Sequence, residues 1–88
     1  MPEIHVKIAS SVGLHARPAS VFVKAAAQHP GTVSIGRPGT DLVDARSMLS
    51  VLSLAIGHGE EVVLRTEGEG ADKALTELSQ LLVTDLDA

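Results

Sequence analysis

The feature that most constrains this chain is the way its hydrophobic period switches along its length. Ile4, Val6 and Ile8 alternate with His5, Lys7 and Ala9, and a period of two predicts a strand with one buried face. From Ala16 to Gln28 the period lengthens. Ala19, Phe22, Val23 and Ala26 fall at helical spacing, with Ser20 and Lys24 opposite. Pro30-Gly31 ends that helix. Val33 and Ile35, then Arg37-Pro38-Gly39-Thr40, then Leu42 and Val43 predict a short hairpin. Its turn is of type II, because Pro suits the second position and Gly tolerates the positive φ of the third. Ser47 to Ile56 reads as a short apolar helix closed by Gly57. Glu61 to Glu67 alternates again, with Val62 and Leu64 on one face and Arg65 on the other. Ala71 to Leu86 carries Ala71, Ala74, Leu75, Leu78, Leu82 and Leu86 at helical spacing. Asp72 and Glu77 lie in its first half, where the helix dipole favours them.

The expected order is therefore β-α-β-β-α-β-α in one domain over residues 1–88. A chain of this length cannot cover both faces of a four-stranded sheet, and alternation within the strands says that one face is wet. The fold class is α+β, a two-layer domain with an antiparallel sheet and its helices on a single face.

Composition removes several functions. There is no Cys, hence no disulfide framework, thiolate metal site or cysteine nucleophile. Phe22 is the sole aromatic, so there is no stacking platform for single-stranded nucleic acid. A net charge of −4 argues against a duplex partner. No signal peptide and no apolar stretch approaching a membrane span can be read, so a cytoplasmic protein without membrane insertion is expected. His5, His29 and His58 do not form a metal set and are expected at exposed or half-exposed positions. No cofactor is called for.

The segment with chemical content is Gly13-Leu14-His15-Ala16-Arg17-Pro18-Ala19-Ser20. Gly13 lets the chain turn out of the first strand. His15 stands just before a helix, and Pro18 falls in its first turn, where a missing N–H costs little. The backbone amides of Ala16 and Arg17 are then left free, and such an end attracts anions. Arg17 adds a permanent cation able to grip phosphate through two parallel hydrogen bonds. A nucleophilic imidazole, a guanidinium and free amides thus converge, which describes a phosphate site with an attacking group built in. The plainer alternative is a capping histidine followed by a solvated charge.

GLHARPAS closely resembles the active-site segment of the HPr family, the histidine-containing phosphocarriers of the bacterial phosphoenolpyruvate:sugar phosphotransferase system. Length, element order, the segment SMLSVLSLAIGHG and the closing EGEGADKAL resemble that family as well. The resemblance implies an open-faced β-sandwich, four antiparallel strands covered on one side by three helices. It implies phosphorylation of His15 on Nδ1 and stabilisation of the phosphoryl group by Arg17. It also implies a relay rather than an enzyme, with enzyme I as donor and sugar-specific enzyme IIA domains as acceptors.

Ser47 matches a serine that HPr kinase phosphorylates in several lineages. The commoner pattern has Lys before it and Gly two residues after the following Met, where this chain has Arg46 and Ser50. The simpler reading of Ser47 is a helix N-cap. The segment Met48 to Ile56 is too apolar for a short surface helix. The core is expected to take Val51 and Leu54, leaving Met48, Leu49 and Leu52 exposed, and an exposed apolar patch is a partner site. By resemblance these three dock enzyme I and enzyme IIA, and the chain works as a monomer. Two other functions compete. One is a regulatory HPr-like module that binds a transcription factor or enzyme and carries nothing; such relatives typically lack the histidine present here as His15, whereas HPr kinase/phosphorylase or a regulator would be an additional partner of a carrier. The other is an anion-binding domain without transfer.

Overall fold

The computed structural model describes residues 2–85. The strands are β1 (Glu3–Lys7), β2 (Thr32–Gly36), β3 (Val43–Asp44) and β4 (Glu61–Glu67), and the helices are α1 (Ala16–Ala27), α2 (Met48–Ser53) and α3 (Ala71–Leu82). They follow in the order β1-α1-β2-β3-α2-β4-α3, and the sheet order is β1-β4-β2-β3. Every pairing is antiparallel, with Ile4 opposite Leu64, Ile35 opposite Leu64 and Ile35 opposite Val43.

Register dictates the two faces. Val62, Leu64 and Thr66 of β4 and Val33 and Ile35 of β2 are buried, while Glu61, Arg65 and Glu67 stand on the other side. The buried face is closed by Ala19, Phe22 and Ala26 from α1, Val51 from α2, and Ala74, Leu78 and Leu82 from α3. This is the two-layer arrangement that alternation and chain length predict, and the open-faced sandwich that the resemblance implies. The turn after β2 has Gly39 at φ +79° and an N–H of Thr40 that donates to the Arg37 carbonyl at 3.2 Å, as the Pro-Gly pair predicts.

Five expectations are corrected. Ile4 is 37% exposed rather than buried, because β1 is an edge strand whose outer half the helices do not reach. The expected strand at Leu42–Val43 is Val43–Asp44, a two-residue pairing. α2 stops at Ser53, not at Gly57. The last amides of that helix, on Leu54 and Ala55, tighten to carbonyls three residues back, and Ala55 turns left-handed at φ +52°. α3 ends at Leu82, whose carbonyl accepts the Ala9 N–H at 3.0 Å; Leu86 lies outside the described residues. His29 is also not at the surface. It is 8% exposed, and its Nε2 lies 3.2 Å from the Glu67 carbonyl, where it joins the end of α1 to the end of β4.

Candidate functional site at the head of the first helix

The path from β1 to α1 is anchored before it delivers His15. Gly13 sits at φ +73°, and a Cβ there would overlap the Ile56 carbonyl oxygen and lie 2.7 Å from Gly57 Cα. Glycine is thus required twice, for its backbone angle and for the close approach. The Gly13 N–H donates to the Ser10 carbonyl and the Leu14 N–H to the Ile56 carbonyl, each at 3.0 Å. Leu14 is itself buried. The chain is therefore held against the segment that leaves α2 until one residue before His15.

His15 then occupies the N-cap of α1 in extended conformation, φ −145° and ψ 161°, with its ring exposed and making no capping bond. Ala16 follows at φ +50°, a left-handed angle that costs an L-residue about 1–2 kcal/mol. The regular first turn expected from the sequence is broken there. Among the described residues the amides of Ala16 and Arg17 donate to no protein acceptor. Pro18 and Ala19 turn inward and are buried, which leaves Arg17 exposed beside His15.

Partners separate this pair from every similar residue. His5 lies 3.3 Å from Glu61 and 3.7 Å from Glu3, His29 bonds the Glu67 carbonyl, and His58 Nδ1 lies 3.0 Å from the Ser10 carbonyl. Arg37 pairs with Glu60, Arg46 with Asp44 and Arg65 with Glu3. These arginines draw the carboxyls of Glu3 and Glu60 below their ordinary range through side-chain hydrogen bonds, whereas Asp44 is lowered chiefly by the backbone N–H of Arg46. Among the described residues, His15 is the one histidine and Arg17 the one arginine with no side-chain partner. They are two residues apart at a helix start with free amides. A single oxyanion could be met there by a guanidinium, by backbone N–H groups and by an imidazole nitrogen with its lone pair available.

The second predicted cluster is only partly assembled. Leu49 is 80% exposed, but Met48 and Leu52 are half-buried against the core. Leu54, expected inside, is likewise half-buried at the C-cap, and of the helix itself only Val51 enters the core fully. A six-residue helix presents one short row inward, and its flanks lie along the rim. Ser47 is the N-cap of α2, and its Oγ accepts the Ser50 N–H at 3.2 Å. α1 and α2 pack against each other, and the Leu14–Ile56 bond ties the histidine's approach to the exit of α2. Among the described residues no helix is long and apolar enough to cross a membrane, and no metal-ligating group of three is formed.

Four antiparallel strands under three helices, with unpartnered imidazole and guanidinium at the head of the first, define a small open-faced β-sandwich protein. A family model described as "PTS HPr component phosphorylation site" matches residues 2–84. The chain is 44% identical over 87 residues to "Phosphocarrier protein HPr" of Streptomyces coelicolor, covering 99% of this chain and 94% of that one. It is 42% identical over 82 residues to the protein of that name from Pseudomonas aeruginosa, covering 93% and 91%. The crystal structure of "a Phosphocarrier Protein HPr from Bacillus anthracis str. Ames" superposes with a TM-score of 0.87 at 34% identity, covering 92% of this chain and 95% of that one. The chain belongs to the HPr family, the phosphocarrier component of the phosphotransferase system, whose members carry a phosphoryl group and are not catalysts.

Two participants of the region escape sequence reasoning. Arg37 and Glu60 brace the segment that holds Leu14, but in the sequence Arg37 is merely the first residue of a turn. No local signal marks a contact across 23 positions.

Proposed function

We propose that this chain accepts a phosphoryl group on Nδ1 of His15 from phosphorylated enzyme I, itself charged by phosphoenolpyruvate, and passes it to enzyme IIA domains during sugar uptake in the cytoplasm. The observation that carries this is the unpartnered pair, His15 and Arg17, at a helix start. An acceptor must be exposed, must have a free lone pair and must stand where three negative oxygens are stabilised once they arrive. In each transfer the imidazole lone pair forms the new N–P bond while the donor's N–P bond breaks, and the donor nitrogen keeps the electron pair. Arg17 and the amides of Ala16 and Arg17 then hold the phosphoryl oxygens. Reversal toward enzyme IIA needs the same contacts to be weak enough to release. Leu49, with Met48 and Leu52 at its flanks, supplies the apolar surface shared by both partners. A small interface, below about 1,200 Å² in total, suits a carrier that must leave each partner quickly. The chain acts as a monomer in this cycle. Ser47 serves as a cap, and its phosphorylation by a kinase would place charge beside the docking surface.

Incubation with enzyme I and phosphoenolpyruvate, read by intact mass, tests the reading. One phosphate mass that is lost on brief acid treatment and absent from His15→Ala is expected. An equal yield in His15→Ala would end it.

A further inference from the structure

Arg37 lies at the first position of the turn after β2, yet its side chain is committed to a different part of the molecule. Its Nε donates to Glu60 Oε1 at 2.9 Å and its Nη2 to Glu60 Oε2 at 3.1 Å. Nη1 donates to the Leu54 carbonyl at 2.7 Å and Nη2 also to the Ala55 carbonyl at 3.3 Å. These are the carbonyls of the C-cap of α2 and of the residue after it, and Ala55 is the residue that turns left-handed there. Glu60 in turn accepts the Gly57 N–H on Oε2. One guanidinium and one carboxylate therefore bind the segment 54–60 at three places.

The same segment is the platform for the chain that leads to His15. The Ile8 N–H donates to the Glu60 carbonyl at 3.0 Å, and the Gly59 N–H donates to the Ile8 carbonyl at 2.9 Å. His58 meets the Ser10 carbonyl, Gly13 lies on Ile56 and Gly57, and the Leu14 N–H meets the Ile56 carbonyl. An isolated surface ion pair contributes little. This pair differs because the planar fork of Arg37 also satisfies two carbonyls just past the end of α2 in fixed geometry.

We propose that Arg37 is a positioning residue for His15: acting with Glu60 through Leu54 and Ala55, it holds the Ile56 carbonyl where Leu14 meets it and so sets the His15 ring relative to α2. The kinetic half rests on the reading of His15 as phosphoryl acceptor; the geometric half stands without it.

The test compares wild type with Arg37→Ala, Arg37→Lys and, as a control, Arg65→Ala. The control removes an arginine–carboxylate contact that is, if anything, shorter, Arg65 to Glu3 at 2.7 Å, which joins β4 to β1. Native-state amide exchange and phosphorylation by enzyme I are measured on each. In Arg37→Ala the Leu14 amide is expected to exchange about tenfold faster, the size of one lost hydrogen-bond contribution. Leu64 in β4 is expected to keep its wild-type rate. The rate at saturating enzyme I is expected to fall about tenfold with KM little changed, since a misplaced acceptor affects the step rather than the docking. Arg37→Lys, with one compact donor group, is expected to fall between, and Arg65→Ala to match wild type in both readouts.

Unchanged Leu14 exchange, or an equal rise at Leu14 and Leu64, would overturn the brace. Faster Leu14 exchange with unchanged transfer would overturn its role in positioning. If wild type itself takes no phosphoryl group, the proposed function fails, and exchange at Leu14 still decides the brace. Should Arg37→Ala not fold, Glu60→Gln gives the same comparison.

Discussion

Replacing Gly13 with alanine tests whether the approach to His15 is built as described. Two costs arise. An alanine at φ +73° sits in the left-handed region, worth about 1–2 kcal/mol against an L-residue. Its Cβ would also overlap the Ile56 carbonyl and the Gly57 backbone. The segment must move, and the Leu14–Ile56 hydrogen bond, worth about 0.5–1.5 kcal/mol, is lost with part of the packing of two side chains that are each 2% exposed. The sum is about 2–4 kcal/mol. For a domain of this size that corresponds to a fall in Tm of roughly 10–25 °C. Gly39→Ala is the matched control: its φ is +79°, but nothing lies within 4 Å of the added Cβ. It is expected to show the conformational cost alone, about 1–2 kcal/mol. Urea titrations of both variants, followed by far-UV circular dichroism, give the difference directly. If Gly13→Ala is no less stable than Gly39→Ala, the close approach to Ile56 does not anchor this loop.

Phe22→Ala removes the largest side chain of the core, fully buried, and is expected to cost about 3–5 kcal/mol in a denaturant melt. Ser47→Ala removes the cap on Ser50 and is expected to cost about 0.5–2 kcal/mol, while Ser47→Asp, which can still cap, is expected to slow phosphorylation by enzyme I without a comparable loss of stability. Leu49→Glu is expected to leave the melt within about 0.5 kcal/mol of wild type, because the side chain is 80% exposed, and to raise KM for both enzyme I and enzyme IIA. Leu52→Glu, half-buried against the core, is expected to lower stability as well. Arg37 lowers the Glu60 carboxyl below its ordinary 4.5. The contribution of Glu60 is thus complete above that pH and is lost as pH falls through the lowered folded-state value. Glu60→Gln is expected to flatten the acid side of the pH–stability curve, and an unaltered acid limb would refute that coupling.

What the sequence revealed and what it concealed follow from range. Val62 and Leu64 announce their face because a strand's period is local, and register then carries Ile35 and Val43 to the same side. Pro38-Gly39 announces its turn because only such residues suit those angles. His15, Arg17 and Ser47 are legible because helix starts have local chemistry. Ile4 departs from expectation because alternation reports a face and not whether the strand is at an edge. The burial of His29 is not legible because a loop histidine is polar by type, and only the distant Glu67 carbonyl makes burial tolerable. The end of α2 is not legible because the carbonyls just beyond it are met by Arg37, far away in sequence. Nor does sequence say that His15 and Arg17 are the unpartnered members of their kinds; that emerges only when every other histidine and arginine has found its contact.

On the proposed function His15, alone of four histidines, carries the phosphoryl group. Long-range proton–nitrogen NMR of the imidazoles, recorded before and after treatment with enzyme I and phosphoenolpyruvate and again after adding an enzyme IIA domain, tests it most directly. A shift at His15 Nδ1 with direct coupling to phosphorus is expected, with unmoved ring nitrogens in His5, His29 and His58 and return of His15 to its starting position once enzyme IIA has taken the group. Phosphorus coupling at His5, His29 or His58, or a phosphorylated His15 that enzyme IIA cannot discharge, would contradict it.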